Sequence, residues 1–312
     1  MLDVIVVGAG PIGLFAGYYL GLRKLKSLIL ESKEVYGGQP LKIYPEKIIS
    51  DVPGILAVKS KDFIEMLYQQ YETFAKDIPI HYQEEIIEIK KLQDSYLVIT
   101  NKDKYESKTI LISSGNGVNI PKKLEVEGVD EKVLYQITDL KSLLNKDVIV
   151  LGGGDSALDN ANLLKDIAKS VTLIHRRAEF RGHEHSLELF RNSLGNVITS
   201  AHIDKIIIEN DKHFLLINST EKIYFDYLVV NYGFLESKNY FSNILNIDTL
   251  GIQVKTNMET SFEGVFCVGN ACSYYGKTKT LTTGFGEVIT AVTAIHQKIY
   301  PSKNPTFYSS IK

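Results

Sequence analysis

At 312 residues with a net charge of −2 and 44% hydrophobic residues, the chain is long enough for two globular domains and carries no global basic field for nucleic acid. No apolar run reaches the roughly 18 residues of a membrane-spanning helix, and two cysteines, Cys267 and Cys272, make neither a disulfide framework nor a C-x-x-C pair. A strand pattern begins at residue 3, which leaves no room for a signal peptide, so a cytoplasmic address is expected.

Asp3-Val4-Ile5-Val6-Val7 is an apolar, β-branched run that reads as a buried parallel strand. Gly8-Ala9-Gly10-Pro11-Ile12-Gly13 comes next and fits G-x-G-x-x-G, residues 14–22 continue as a helix, and Ser27-Leu28-Ile29-Leu30 is a second strand ending on Glu31. Strand, glycine loop, helix and an acid about 20 residues on form the context that makes this motif a dinucleotide cradle. Gly8 permits the tight turn, Gly10 lets the backbone approach a pyrophosphate, and Gly13 lets the helix pack close to the strand. The phosphates meet a positive helix end, and Glu31 accepts from a ribose hydroxyl.

Residues 32–58 are rich in turn formers (Gly37-Gly38, Pro40, Pro45, Pro53, Gly54), a long connection of the functional kind. A helix is expected over 61–75 and strands over 86–89, 96–100 and 109–113, the last running into the turn Ser114-Gly115-Asn116-Gly117.

The opening unit then recurs. Asp147-Val148-Ile149-Val150-Leu151 is a strand, Gly152-Gly153-Gly154-Asp155-Ser156-Ala157 is a glycine loop, residues 158–168 form a helix, and Val171-Thr172-Leu173-Ile174 is a strand ending in His175-Arg176-Arg177. Gly13 to Glu31 and Ala157 to His175 are both 18 residues apart. Two copies imply two nucleotide sites. The first ends in an acid, suited to a free 2′-hydroxyl. The second ends in guanidinium groups, with Arg181 one turn on, which bind a 2′-phosphate bidentately and point to NADP(H) rather than NAD(H). Gly182-His183-Glu184-His185 lacks the i, i+4 spacing of a helical metal pair, so no metal is expected.

Further strands are expected over 203–209, 213–218 and 227–231. The last ends at Tyr232-Gly233-Phe234, which echoes Ser114-Gly115 and marks a crossing between domains. Gly264 to Ala271 reads as strand and turn, and 286–299 as a closing helix. The expected organisation is α/β with two Rossmann-like domains, residues 116–234 being inserted into a domain made of 1–115 and 235–312.

This layout resembles the two-dinucleotide-binding flavoprotein oxidoreductases of the low-molecular-weight thioredoxin reductase type, on Gly37-Gly38-Gln39, His175-Arg176-Arg177 with Phe180-Arg181, and the glycine turn at Gly269. The cysteine pair of thioredoxin reductases is missing: the region before the second glycine loop reads Tyr135-Gln136-Ile137-Thr138-Asp139-Leu140. Dithiol relay chemistry is therefore excluded. The closer resemblance is to the thioredoxin-reductase-like ferredoxin–NADP+ reductases. It rests on Tyr44-Pro45-Glu46-Lys47, Asp51-Val52, Gly115-Asn116-Gly117, Val230-Asn231-Tyr232-Gly233-Phe234 and Gly284-Phe285-Gly286-Glu287. The resemblance implies FAD in the first cradle, on Gly8, Gly10, Pro11, Gly13, Glu31, Gln39, Tyr44, Asp51, Ile86, Asn119, Asn270 and Ser310. It implies NADPH in the second, on Gly152, Gly154, Asp155, Ser156, Arg176, Arg177 and Arg181.

It further implies that Tyr44 stacks on one flavin face and Tyr308 on the other, or Phe307 if the gap shifts by one. Asn270 stands where the family has an aspartate for the ribityl chain. The expected activity takes a hydride from NADPH and passes single electrons to ferredoxin or flavodoxin, in a homodimer. No side-chain acid or base is required. The tail ring must move aside, or the inserted domain must swing on residues near 115 and 233. A helix opening at Gly284-Phe285-Gly286 is expected to aim its positive end at the flavin. Lys24, Lys26, Lys42 and Lys47 are the candidate basic patch for an acidic partner. An NADPH oxidase or small-quinone (diaphorase) reductase, and a flavin-binding redox regulator without turnover, are the alternatives.

Overall fold

Two β-branched runs, Leu2–Val7 and Asp147–Leu151, are central strands of two separate sheets, each flanked on both sides by parallel neighbours. The computed structural model describes residues 1–43, 45–115, 121–193, 195–233, 245–248 and 251–303. It divides into two units, Met1–Val118 with Ser237–Lys312, and Asn119–Glu236.

In the first unit, Leu2–Val7 lies between Ser27–Glu31 and Lys104–Ile112, all parallel. Ile80–Tyr82 extends the sheet beyond Ser27–Glu31, and Val265–Cys267 extends it beyond Lys104–Ile112. Lys104–Ile112 starts five residues earlier than its apolar run suggests because its first half has another partner, Tyr96–Thr100, which pairs in turn with Ile86–Lys91. Side chains alternate across the sheet. Val4 and Val6 face a core filled from the helices Pro11–Leu22, Ser60–Glu72 and Leu281–Ile299, and Ile5 faces Ile86, Tyr96 and Val98 of the hairpin layer.

The closing helix starts at Leu281 rather than near residue 286, because Thr280 caps it: its hydroxyl accepts from the Thr283 N–H at 3.3 Å. Gly284-Phe285-Gly286 therefore lies inside the helix, and the positive end belongs to the turn after Thr280.

The second unit repeats the plan. Asp147–Leu151 lies between Ser170–Ile174 and Tyr227–Val230, with Asn196–Ile198 and Val133–Leu134 at the outer edges, all parallel. An antiparallel layer of Ile203–Glu209, Lys212–Ile217 and Glu221–Phe225 covers one face. Helices Asp155–Leu164 and Glu184–Asn192 fill the core on the other through Leu158, Ala161 and Phe190. Among the described residues no helix is long and apolar enough to cross a membrane.

Candidate functional site

The first cradle is closed by backbone. Gly8 turns the chain at φ 100° and donates its N–H to the Leu30 carbonyl at 2.8 Å. A Cβ at Gly13 would sit 1.9 Å from the Gly8 carbonyl oxygen, so no side chain fits where helix and strand meet. Pro11 opens the helix without wasting an N–H, and the Gly10 cap position has no side-chain cap and no acid in the first helical turn. That helix end is left electropositive for an anion. Gly37-Gly38 folds over it: the Gly37 N–H donates to the Ala9 carbonyl at 2.8 Å, and a Cβ on Gly38 would come within 3.2 Å of Gly10 Cα.

Glu31 is buried, and its carboxylate accepts from the Ala9 N–H at 2.8 Å and the Lys33 N–H at 2.9 Å. It thus ties the strand end to the glycine loop, and its remaining lone pairs are those a ribose hydroxyl would use. Gln39 is half-buried in the short helix Gly38–Lys42. Asp51 is exposed, and its carbonyl accepts from the Thr282 hydroxyl of the closing helix at 3.1 Å. Ile86 is a buried core residue at the start of Ile86–Lys91, so its side chain packs within the sheet. Asn270 is half-buried in the single turn Gly269–Ala271. Tyr44, Asn119, Phe307, Tyr308 and Ser310 lie outside the described residues.

The second cradle builds the same logic on different side chains. Gly152 donates its N–H to the Ile174 carbonyl at 3.0 Å, just as Gly8 does to Leu30, so His175 occupies the place of Glu31 and Gly153 that of Ala9. The His175 ring lies on Gly153, where a Cβ would be 2.3 Å from the imidazole Cε1, and Phe180 flanks it with ring centroids 5.1 Å apart. A carboxylate reaching the loop N–H has been replaced by an imidazole filling the space a side chain would take. The residues after His175 are then the next that a ribose would meet. Arg176, Arg177 and Arg181 are all exposed, and the chain returns to the glycine loop through Arg181 N–H, which donates to the Gly153 carbonyl at 2.7 Å.

Two assigned residues of this cradle sit at the helix start. The Asp155 carboxylate accepts from the His183 N–H at 2.9 Å, which holds residues 181–183 against that end of the helix. Ser156 is half-buried one position on. His183, Glu184 and His185 form no metal-ligating group, nor do any other described residues.

His175 Nε2 is buried with no hydrogen-bond partner among the described residues. Burial holds the imidazole below its ordinary value of 6.5; Arg176, Arg177 and Arg181 push the same way, and a backbone bond at Glu179 opposes them. The folded state therefore keeps His175 neutral, and the stability this contributes is present above the ordinary imidazole value and lost as pH falls below it. In urea unfolding, the wild-type protein loses stability relative to His175→Phe as pH drops from 6.5 to about 5. A difference that stays constant over that range would contradict this.

Two features are corrected or added by the structure. Lys24 and Lys26 do not form one patch with Lys42 and Lys47. Lys26 lies beside Asp3 at the start of the sheet, its carbonyl accepting from the Asp3 N–H at 2.7 Å, whereas the glycine loop leaves the other end. One strand length, roughly 15 Å, separates the two ends. Glu287, the last residue of the Gly284-Phe285-Gly286-Glu287 match and given no role of its own there, is buried beside the Asn270 turn and accepts from the Gly269 N–H at 2.7 Å. Its signal was present: it shares the i, i+4, i+8 face of Ala291 and Ile295, where an acid interrupts an apolar stripe.

The family model for pyridine nucleotide-disulphide oxidoreductases matches residues 5–269. A ferredoxin–NADP reductase of Acholeplasma laidlawii is 40% identical, over 99% of this chain and 98% of that protein. A ferredoxin–NADP reductase of Enterococcus faecalis is 39% identical, over 94% of this chain and 91% of that protein. Among solved structures, a thioredoxin reductase of Lactococcus lactis shares the fold, with a TM-score of 0.80 at 24% identity, over 96% of this chain and 100% of that one. The chain belongs to the pyridine nucleotide-disulphide oxidoreductase family and, within it, to the group of the ferredoxin–NADP reductases.

Proposed function

We propose that this chain is an FAD-dependent ferredoxin (or flavodoxin)–NADP+ reductase, with FAD held by the first unit and NADPH by the second. The observation that carries the reading is one plan closed in two ways: Glu31 ties back to Ala9 in the first cradle, while His175 on Gly153 hands the ribose to Arg176 and Arg177 in the second. The residues of the first cradle fit FAD, because its loop admits no Cβ at Gly13 and its helix end carries no competing acid. When bound, FAD accepts a hydride from NADPH and releases electrons singly.

The side chains position rather than react. The Gly8–Gly13 backbone and helix end hold the pyrophosphate, and the free lone pairs of Glu31 take the ribose. Asn270 offers both a donor and an acceptor to the ribityl chain. Gln39, Asp51 and Ile86 would border the FAD site; the resemblance also assigns Asn119 and Ser310 to it, and Tyr44 and Tyr308 to flavin stacking, all four outside the described residues. Gly152, Gly154, Asp155 and Ser156 frame the NADPH pyrophosphate, and Arg176, Arg177 and Arg181 take the 2′-phosphate. Both thiols are buried, and burial, with the nearby Glu287 carboxylate adding to it, pushes Cys272 up to about 12. A thiolate relay is not supported, which favours direct transfer from flavin to an acceptor protein. A homodimer in the cytoplasm, joined through the closing helix of the first unit, goes with this reading.

The test is steady-state reduction of ferredoxin and of a small quinone by NADPH. Ferredoxin is reduced with the higher kcat/KM, and Lys42→Glu with Lys47→Glu lowers that value about tenfold at low salt and less at high salt. Quinone reduction is unaffected by the charge reversal. Turnover with quinone alone would overturn the reading in favour of a diaphorase.

A further inference from the structure

The buried carboxylate of Glu287 lies outside both glycine loops. It lies inside the first unit, on the face of the closing helix that also carries Gly284, Val288 and Ala291. Four donors meet it. Oε2 accepts from the Gly269 N–H at 2.7 Å and from the Cys272 thiol at 3.5 Å. Oε1 accepts from the Tyr274 hydroxyl at 2.7 Å and from the Lys277 ammonium, whose side chain is only 2% exposed. All four belong to the short segment that begins with the Gly269–Ala271 turn.

A buried ion pair is weak grounds for stability, since an apolar pair of similar volume often does as well. What the apolar pair lacks is an acceptor for a particular backbone N–H. Gly269 stands at φ 72°, and a Cβ there would be 3.1 Å from Ile12 Cγ1, on the first turn of the opening helix. Gly284 closes the other side: a Cβ on it would be 2.5 Å from Ile12 Cδ1 and 3.4 Å from Gly269 Cα. The turn bearing Asn270 is thus clamped between the two helices, and its N–H is tied to one charge. We propose that Glu287 is the positioning residue of the FAD cradle: it fixes the Gly269–Asn270 turn against Ile12, with Lys277 as its charge partner. This rests on the reading of the first unit as the FAD site.

Three variants test it, each assayed for FAD affinity by titrating the apoprotein with FAD and for apoprotein stability in urea. In E287Q/K277M the amide oxygen still accepts from Gly269 and no charge is stranded, so the Kd for FAD stays within about threefold of wild type. In E287M/K277M no charge is stranded but the Gly269 N–H loses its acceptor, and the Kd rises about thirtyfold. Glu287→Asp keeps the charge pair but shortens the reach by one methylene, and raises the Kd about tenfold. It also decides the matter should the apolar pair fail to fold. Equal FAD affinity in the two double variants, or wild-type affinity in Glu287→Asp, would overturn the proposal. A wild-type protein that takes up no FAD would instead overturn the functional reading.

Discussion

Replacing Arg176 and Arg177 together by alanine raises the Michaelis constant for NADPH about a hundredfold or more and leaves that for NADH unchanged. Each charge-assisted hydrogen bond to a 2′-phosphate is worth about 1.5–3 kcal/mol, and two are lost. Arg176→Ala alone gives at least about a tenfold rise. Both guanidinium groups are exposed and support no core, so the fold is untouched. The selectivity comes from the register: Gly152 N–H on the Ile174 carbonyl puts His175 at the acid's position, and the arginines come next. Initial rates with the two nicotinamide dinucleotides measure the effect directly. An equal loss with both would show that the arginines bind a feature the two share.

Gly13→Ala yields a protein that no longer retains FAD. The added Cβ would stand 1.9 Å from the Gly8 carbonyl oxygen, which is backbone and cannot rotate away. Helix and strand must part, at about 3 kcal/mol or more, and the helix end moves off the phosphates. Gly286→Ala serves as the control. It lies within the closing helix with nothing inside 4 Å of a Cβ, and it stabilises the chain by up to about 1 kcal/mol. Flavin content after purification and urea unfolding separate the two variants. Full flavin occupancy in Gly13→Ala would mean that the loop tolerates a side chain.

Much of this is legible in the chain because the informative signals are local. An apolar β-branched run, a glycine loop and a strand ending in a charged residue lie within about 30 residues, and their repetition at the same spacing reveals the second nucleotide unit. What stays hidden depends on partners distant in sequence. The outer strands Ile80–Tyr82 and Asn196–Ile198 are three residues each and owe their existence to the neighbour they pair with. Helix Glu184–Asn192 is obscured because His183 and His185 at its start suggest chemistry, whereas Phe190 is the one residue it fully buries. Lys24 and Lys26 part from Lys42 and Lys47 because sequence proximity says nothing about which end of a strand a residue occupies. Glu31 reads as a ribose ligand, and only the structure reveals that it also braces the glycine loop through Ala9. Glu287 needs both the helix face and the remote Gly269 turn to acquire a meaning.

The most direct test of the two-cradle reading is an anaerobic titration of the purified yellow protein with NADPH and, separately, with NADH, monitored by the flavin absorbance. The expected result is bleaching by one equivalent of NADPH, none at the same concentration of NADH, and return of the colour when oxidised ferredoxin is added. A protein that binds no flavin, or one bleached equally by both dinucleotides, would contradict it.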